Sequence, residues 1–141
     1  SDKTYYVKKD IIKIFDQLDS IDDISSKVYR LYRAAFGRFP DSDGLNYWIT
    51  KNRVGENNHL QTAKSFLYSN EFNEIYSHTK TNRDYLTNLY QNVLDRVPDE
   101  IGYNYWLNQL ENNLESRSEV LIGFAESKEN KQVFMYQTGL L

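Results

Sequence analysis

The chain has 141 residues, a net charge of −3 and no cysteine. That length supports a core without staples, since roughly 70% of the unfolded surface is buried at this size, and the missing thiols exclude disulfides, a thiolate nucleophile and thiolate metal sites. Basic residues are scattered among acids, so neither the stripe of a nucleic-acid binder nor a polybasic membrane patch is present, and no apolar run reaches the ~18 residues of a membrane span.

The opening Ser1-Asp2-Lys3 reads as a piece excised from something longer, with no signal peptide in view. Helical spacing of apolar residues then dominates. Val7, Ile11, Ile14, Phe15 and Leu18 share one face of a leading helix over 6–19. Asp22 or Asp23 can cap the next helix, which carries Ile24, Val28, Leu31, Tyr32 and Ala35 inward and runs to Phe36. Gly37 ends it, because glycine tolerates the left-handed conformation. Pro40 disfavours helix at Phe39, and Asp41 caps a third helix bearing Leu45, Trp48 and Ile49. A loop over 55–58 leads to a helix with Leu60, Ala63, Phe66 and Leu67. Ser69 caps a short helix through Phe72, Ile75 and Tyr76. After a polar boundary over 77–82 the plan returns. Leu86, Leu89, Tyr90 and Val93 line one helix; Tyr103, Trp106, Leu107, Leu110 and Leu114 line the next. Val120, Leu121, Phe124 and Ala125 line a third, and Ser127 caps the last, with Val133 and Phe134 inward. No segment alternates with the period of a strand.

The return is literal. Pro40 and Pro98, and Trp48 and Trp106, each lie 58 residues apart. Of the eighteen positions from Leu31 to Trp48, nine are identical in Leu89 to Trp106, without a gap. The same offset pairs Phe66 with Phe124, Ser69 with Ser127, Glu71 with Glu129 and Tyr76 with Phe134. A motif held twice over such a span predicts a scaffold of duplicated helical units. The expected fold is all-α: a leading segment over 1–23, one unit over 24–80 and a second over 81–141. The two units are read as pseudo-symmetric lobes of one compact domain.

The signature Leu-Tyr-x5-Arg-x-Pro-Asp-x-x-Gly-x-x-Tyr-Trp, followed by Phe-x-x-Ser-x-Glu, resembles the bacterial DUF4214 family, in two copies over about 24–135. Asp95 stands where Gly37 has the usual glycine, and Tyr103 where Leu45 stands. The resemblance implies an all-helical module of large secreted or surface proteins. Such modules are often found beside haemolysin-type calcium-binding repeats and in S-layer or adhesin-like chains. The signature is more distantly similar to the helical linker domains of phycobilisomes and to S-layer regions that anchor to lipopolysaccharide. The resemblance carries no catalytic residues, and no cofactor is expected.

Each motif has a structural and a functional reading. Tyr47-Trp48 and Tyr105-Trp106 could stack on sugar rings, but both tryptophans share a face with core residues and are expected to plug their units. Tyr47 and Tyr105 diverge from that face by ~100° and remain candidates. Arg38 and Arg96 could bind a phosphate or an acidic sugar with planar donors. Beside Pro40-Asp41 and Pro98-Asp99, where two helices meet, they read first as clamps. Asn52 and Asn108 open amide-rich loops, and amides suit hydroxyl partners; biased composition is the first reading of them. Asp41-x-Asp43-Gly44 lacks the oxygen ligands of a calcium loop, so no metal is expected, and Gly44 and Gly102 are read with the capping aspartates as structural. His59 and His78 are expected to be solvated. No pair of carboxylates is singled out, so the chain is not read as an enzyme. The expected function is non-catalytic binding or anchoring at the bacterial surface, with surface glycan or lipopolysaccharide as partner. The alternative is a protein–protein assembly module.

Overall fold

A computed structural model describes residues 8–141. Among them are nine helices and no strand: α1 (Lys8–Phe15), α2 (Ile24–Phe36), α3 (Ser42–Arg53), α4 (His59–Leu67), α5 (Asn70–Tyr76), α6 (Asn82–Leu94), α7 (Glu100–Glu111), α8 (Arg117–Ala125) and α9 (Lys128–Thr138). Val7 lies outside the described residues. The leading helix stops at Phe15 rather than continuing to 19. There the Gln17 side chain donates to the carbonyl (3.1 Å) and hydroxyl (3.0 Å) of Ser42, tying the chain to the start of α3.

Side chains that compete for backbone N–H groups set the helix starts. Asp23, Asp41, Asn58, Ser69, Thr81, Asp99, Ser116 and Ser127 each accept from an N–H two or three residues on. Asn58 with Gln61, and Ser116 with Glu119, form reciprocal capping boxes. Gly37 ends α2 at φ 65°, and Asp95 ends α6 at φ 53°. Aspartate is one of the few residues with a side chain that visits this region readily.

The core is not divided between two lobes. One cluster runs continuously through Leu31 and Phe36 of α2, Ala63 and Phe66 of α4, Leu86 and Leu89 of α6, and Leu121 and Phe124 of α8. Helix α8, from the second half of the sequence, packs on both α2 and α4 of the first. A smaller cluster joins Ile14 and Leu18 to Val28 and Tyr29 of α2, Leu45 and Ile49 of α3 and Phe134 of α9. Helix α2 is covered on almost every side, and that accounts for its unusual run of buried residues. Two expected core residues are on the surface. Leu114 falls in the loop after α7, and Val133 turns outward while its neighbour Phe134 is buried.

Arg30 is 1% exposed, in the middle of this packing. Its Nε and Nη2 donate to the two carboxylate oxygens of Glu126, both at 2.8 Å, and Nη2 also donates to the Ile21 carbonyl. The guanidinium lies 4.6 Å from the Phe134 ring centre. A buried charge is tolerable only when so paired. This pair spans 96 residues and ties α2 to the end of α8. The backbone N–H of Ile21 donates to the Leu141 carbonyl, so the end of the described chain returns to the segment before α2.

Candidate functional site

The signature residues assemble at two corners, one between α2 and α3 and one between α6 and α7. At the first, Arg38 donates from Nε and Nη2 to Glu71 at 2.7 and 2.9 Å, and from Nη1 to the Phe39 carbonyl at 3.1 Å. At the second, Arg96 donates to both oxygens of Glu129 and, from Nη1, to the Val97 carbonyl at 3.1 Å. Each guanidinium also lies over a tyrosine, Tyr32 or Tyr90, at 5.2 and 5.1 Å. The planar fork thus holds the corner to the first turn of α5 in one case and of α9 in the other. Their carboxylate partners raise the pKa of both arginines, so neither charge is in play. The donors facing the protein are committed to structure.

The Pro-Asp-x-x-Gly element has a steric reason. The Asp41 carboxylate accepts from the Gly44 N–H at 2.6 Å, and Asp99 accepts from Gly102 at 2.8 Å. A Cβ on Gly44 would come within 2.9 Å of that carboxylate; on Gly102 it would meet both Asp99 and the Tyr90 hydroxyl below 3.0 Å. The Gly102 N–H, with Arg96 in support, holds the Asp99 carboxyl below its ordinary range.

The tryptophans do not fill the core as expected. Trp48 and Trp106 are half-buried at its rim. Trp48 meets Phe66 edge-on at 5.3 Å, and Trp106 tilts over Phe124 at 5.4 Å. Trp48 packs against both core clusters and Trp106 against the larger one, each remaining partly open. The tyrosines beside them are more open: Tyr47 is 52% and Tyr105 54% exposed. Each stands edge-on to its tryptophan at 5.0 Å. Beside Tyr47 is a shallow depression of about 340 Å³, lined by Asp43, Asn46, Thr50 and Lys51. The Lys51 ammonium lies 5.4 Å from the Tyr47 ring centre.

The two amides differ. Asn52 is locked, its side-chain nitrogen donating to the Trp48 carbonyl at 2.9 Å and to Thr62 Oγ1 at 3.0 Å. Asn108 is exposed and accepts from the Asn112 side chain. Among the described residues no group of three or more His, Asp or Glu could hold a metal ion. His78 is exposed and within 2.7 Å of the Asn73 side-chain oxygen. His59 departs from expectation: it is half-buried, with both ring nitrogens covered and without a hydrogen-bond partner. Desolvation lowers its pKa. Sequence reasoning missed Arg30, although a charge between Tyr29 and Leu31 on an apolar helix is a readable signal.

A model of the family described as a domain of unknown function, DUF4214, matches residues 63–134, just over half of the chain. The chain belongs to the DUF4214 family. The matched span of this DUF4214 chain contains the whole second corner, including Arg96, Gly102, Trp106 and Glu129. The first corner lies before it. No curated protein and no solved structure matches the chain.

Proposed function

We propose that the chain is a non-catalytic binding and anchoring module of a secreted or cell-surface bacterial protein, built from two tandem copies of one helical unit, and that it attaches its parent to surface glycan or lipopolysaccharide. One observation carries this reading. Tyr47 and Tyr105, at matching positions of the two copies, are each about half exposed on a rigid helix and braced by a tryptophan. An aromatic face with a wet edge suits the C–H face of a sugar ring. Asn46 and Thr50 beside Tyr47 supply donors and acceptors for its hydroxyls. The committed donors of Arg38 and Arg96 support a division of labour in which the signature builds the scaffold and the outward tyrosines meet the ligand. The similarity of the signature to S-layer anchoring regions points the same way. The test is binding of the purified chain to lipopolysaccharide and to an outer-membrane fraction. Saturable binding competed by free oligosaccharide is expected, and no binding to either contradicts the reading.

A second reading, a protein–protein assembly module resembling a phycobilisome linker or an S-layer lattice contact, is favoured by a different observation. In the first unit Phe39 packs against Phe15 of α1 at 6.2 Å. Its counterpart Val97 is 78% exposed, and Ile101, in the first turn of α7, is 86% exposed. Concentration-dependent association that disappears in Ile101→Lys would support this reading, and a monomer at all concentrations would oppose self-assembly.

A further inference from the structure

A cavity of about 110 Å³ lies where α2 meets α6 and α9, several times the ~10–15 Å³ that one water needs on this measure. Its polar lining comes from Tyr29, Arg30, Arg33, Asn92, Asn130 and Gln137, and no acidic side chain lines it. Two of these residues are buried yet incompletely satisfied. Tyr29 Oη and Arg30 Nη1 have no hydrogen-bond partner among protein atoms. A buried donor left unmade costs about 1–3 kcal/mol, so both atoms favour an acceptor. Arg33 adds a charge without a carboxylate partner among the described residues. Its guanidinium rests 4.6 Å from the Phe39 ring centre. Arg30 is already neutralised by Glu126, which leaves Arg33 as the uncompensated charge of the cavity.

At the 58-residue offset, Tyr29, Arg30 and Arg33 correspond to Thr87, Asn88 and Gln91. The repeated signature therefore does not include these three residues; Tyr29 and Arg30 also serve the packing of the first half, through the core and Glu126, whereas Arg33 has no such partner among the described residues, and all three converge on one cavity. Arginine in such a lining recognises planar or tetrahedral oxyanions through its fork of donors; Asn92 and Gln137 offer amides to neighbouring hydroxyls, while the Asn130 side-chain nitrogen already donates to the Ala125 carbonyl at 2.7 Å. We infer that this cavity is an oxyanion site, taking the phosphate or carboxylate group of an acidic sugar. The inference rests on the glycan reading above and gives it a charge class.

The test is a thermal-shift and NMR titration of the whole chain with inorganic phosphate and with glucuronate, with chloride at equal ionic strength as control. A saturable rise in melting temperature with either oxyanion, and shifts in the side-chain amide signals of Asn92, Asn130 and Gln137, are expected. Phosphate alone acting would identify a phosphorylated sugar, and glucuronate alone a uronic acid. Arg33→Gln, which installs the residue of the other copy, should weaken binding about tenfold or more, whereas Arg83→Gln on exposed α6 surface should leave it unchanged. If Arg33→Gln melts early, Tyr29→Phe decides, because it removes only the hydroxyl: weaker binding supports the site and equal binding overturns it. Equal effects of chloride, no saturable effect of either oxyanion, or unchanged affinity in a folded Arg33→Gln each overturn it. Lipopolysaccharide binding that survives Arg33→Gln overturns the cavity alone. Oxyanion binding without lipopolysaccharide binding overturns the glycan reading instead.

Discussion

At the scale of residues, close approach decides more than hydrophobicity. A Cβ on Gly123 would lie 2.5 Å from Trp106 Cη2, so the indole sits directly on the backbone of α8. Gly123→Ala should destabilise the fold by about 1–3 kcal/mol through overpacking, read as a lower midpoint in denaturant. The first copy has Ser65 at the matching position, and no glycine is required there. His59 gives a second prediction. Burial holds its folded pKa below the ordinary 6.5, with Lys27 and Arg30 adding to the effect and Glu126 opposing it. The unfolded chain therefore takes up the proton first as pH falls. The stability that His59 contributes is complete above pH 6.5 and is lost as pH falls through the folded value. His59→Gln should flatten the stability–pH slope just below 6.5, as followed by thermal melts. An unchanged slope would mean that the ring is solvated. A separate loss at more acidic pH is expected from Asp23, Asp99 and Glu119, whose folded pKa values are all depressed by hydrogen bonds. Capping residues such as Asp41 and Ser127 were legible in the sequence because capping is a local matter. The half-burial of Trp48 and Trp106 was not, because periodicity gives a direction and says nothing of what covers it.

At the scale of helices, two kinds of ion pair do different work. Arg38–Glu71 and Arg96–Glu129 close the two corners, each within its own half of the chain, and stay partly exposed. Arg30–Glu126 joins the first half of the chain to the second and is buried. Removing one partner of a buried pair strands the other. Glu126→Ala should therefore cost about 3–5 kcal/mol. Glu71→Ala, which opens a pair screened by water, should cost about 1 kcal/mol or less. Equal losses in the two variants, measured by equilibrium unfolding, would contradict this ranking. The corner pairs were readable from the repeat itself, since Arg38, Glu71, Arg96 and Glu129 recur at one offset. Arg30–Glu126 was invisible there: its residues have no charged counterparts and meet only through the packing of α8 on α2. The early stop of α1 was equally hidden, because it depends on Gln17 reaching Ser42.

At the scale of the molecule, the shared core implies one cooperative unit. Phe66 and Phe124 belong to the same cluster although they come from different halves of the chain. Chains keeping only one indole, through Trp48→Phe or Trp106→Phe, should therefore report coincident unfolding transitions; separated midpoints would mean that the lobes melt independently. The all-helical class and the order of elements were legible because the helical period and the caps agree along the chain. One compact domain was expected, but the particular packing of α8 on α2 and α4 that builds its shared core was not legible, since each half alone satisfies the same pattern. The account as a whole holds that the duplicated signature builds a frame and that outward tyrosines on it meet a surface glycan. The most direct measurement is the affinity for lipopolysaccharide, with the melting temperature, of the double variant Tyr47→Ala/Tyr105→Ala. The account predicts a loss of about tenfold or more in affinity, or ~1.4 kcal/mol, with the melting temperature unchanged. Full affinity in the double variant, or a loss that follows only from unfolding, would contradict it.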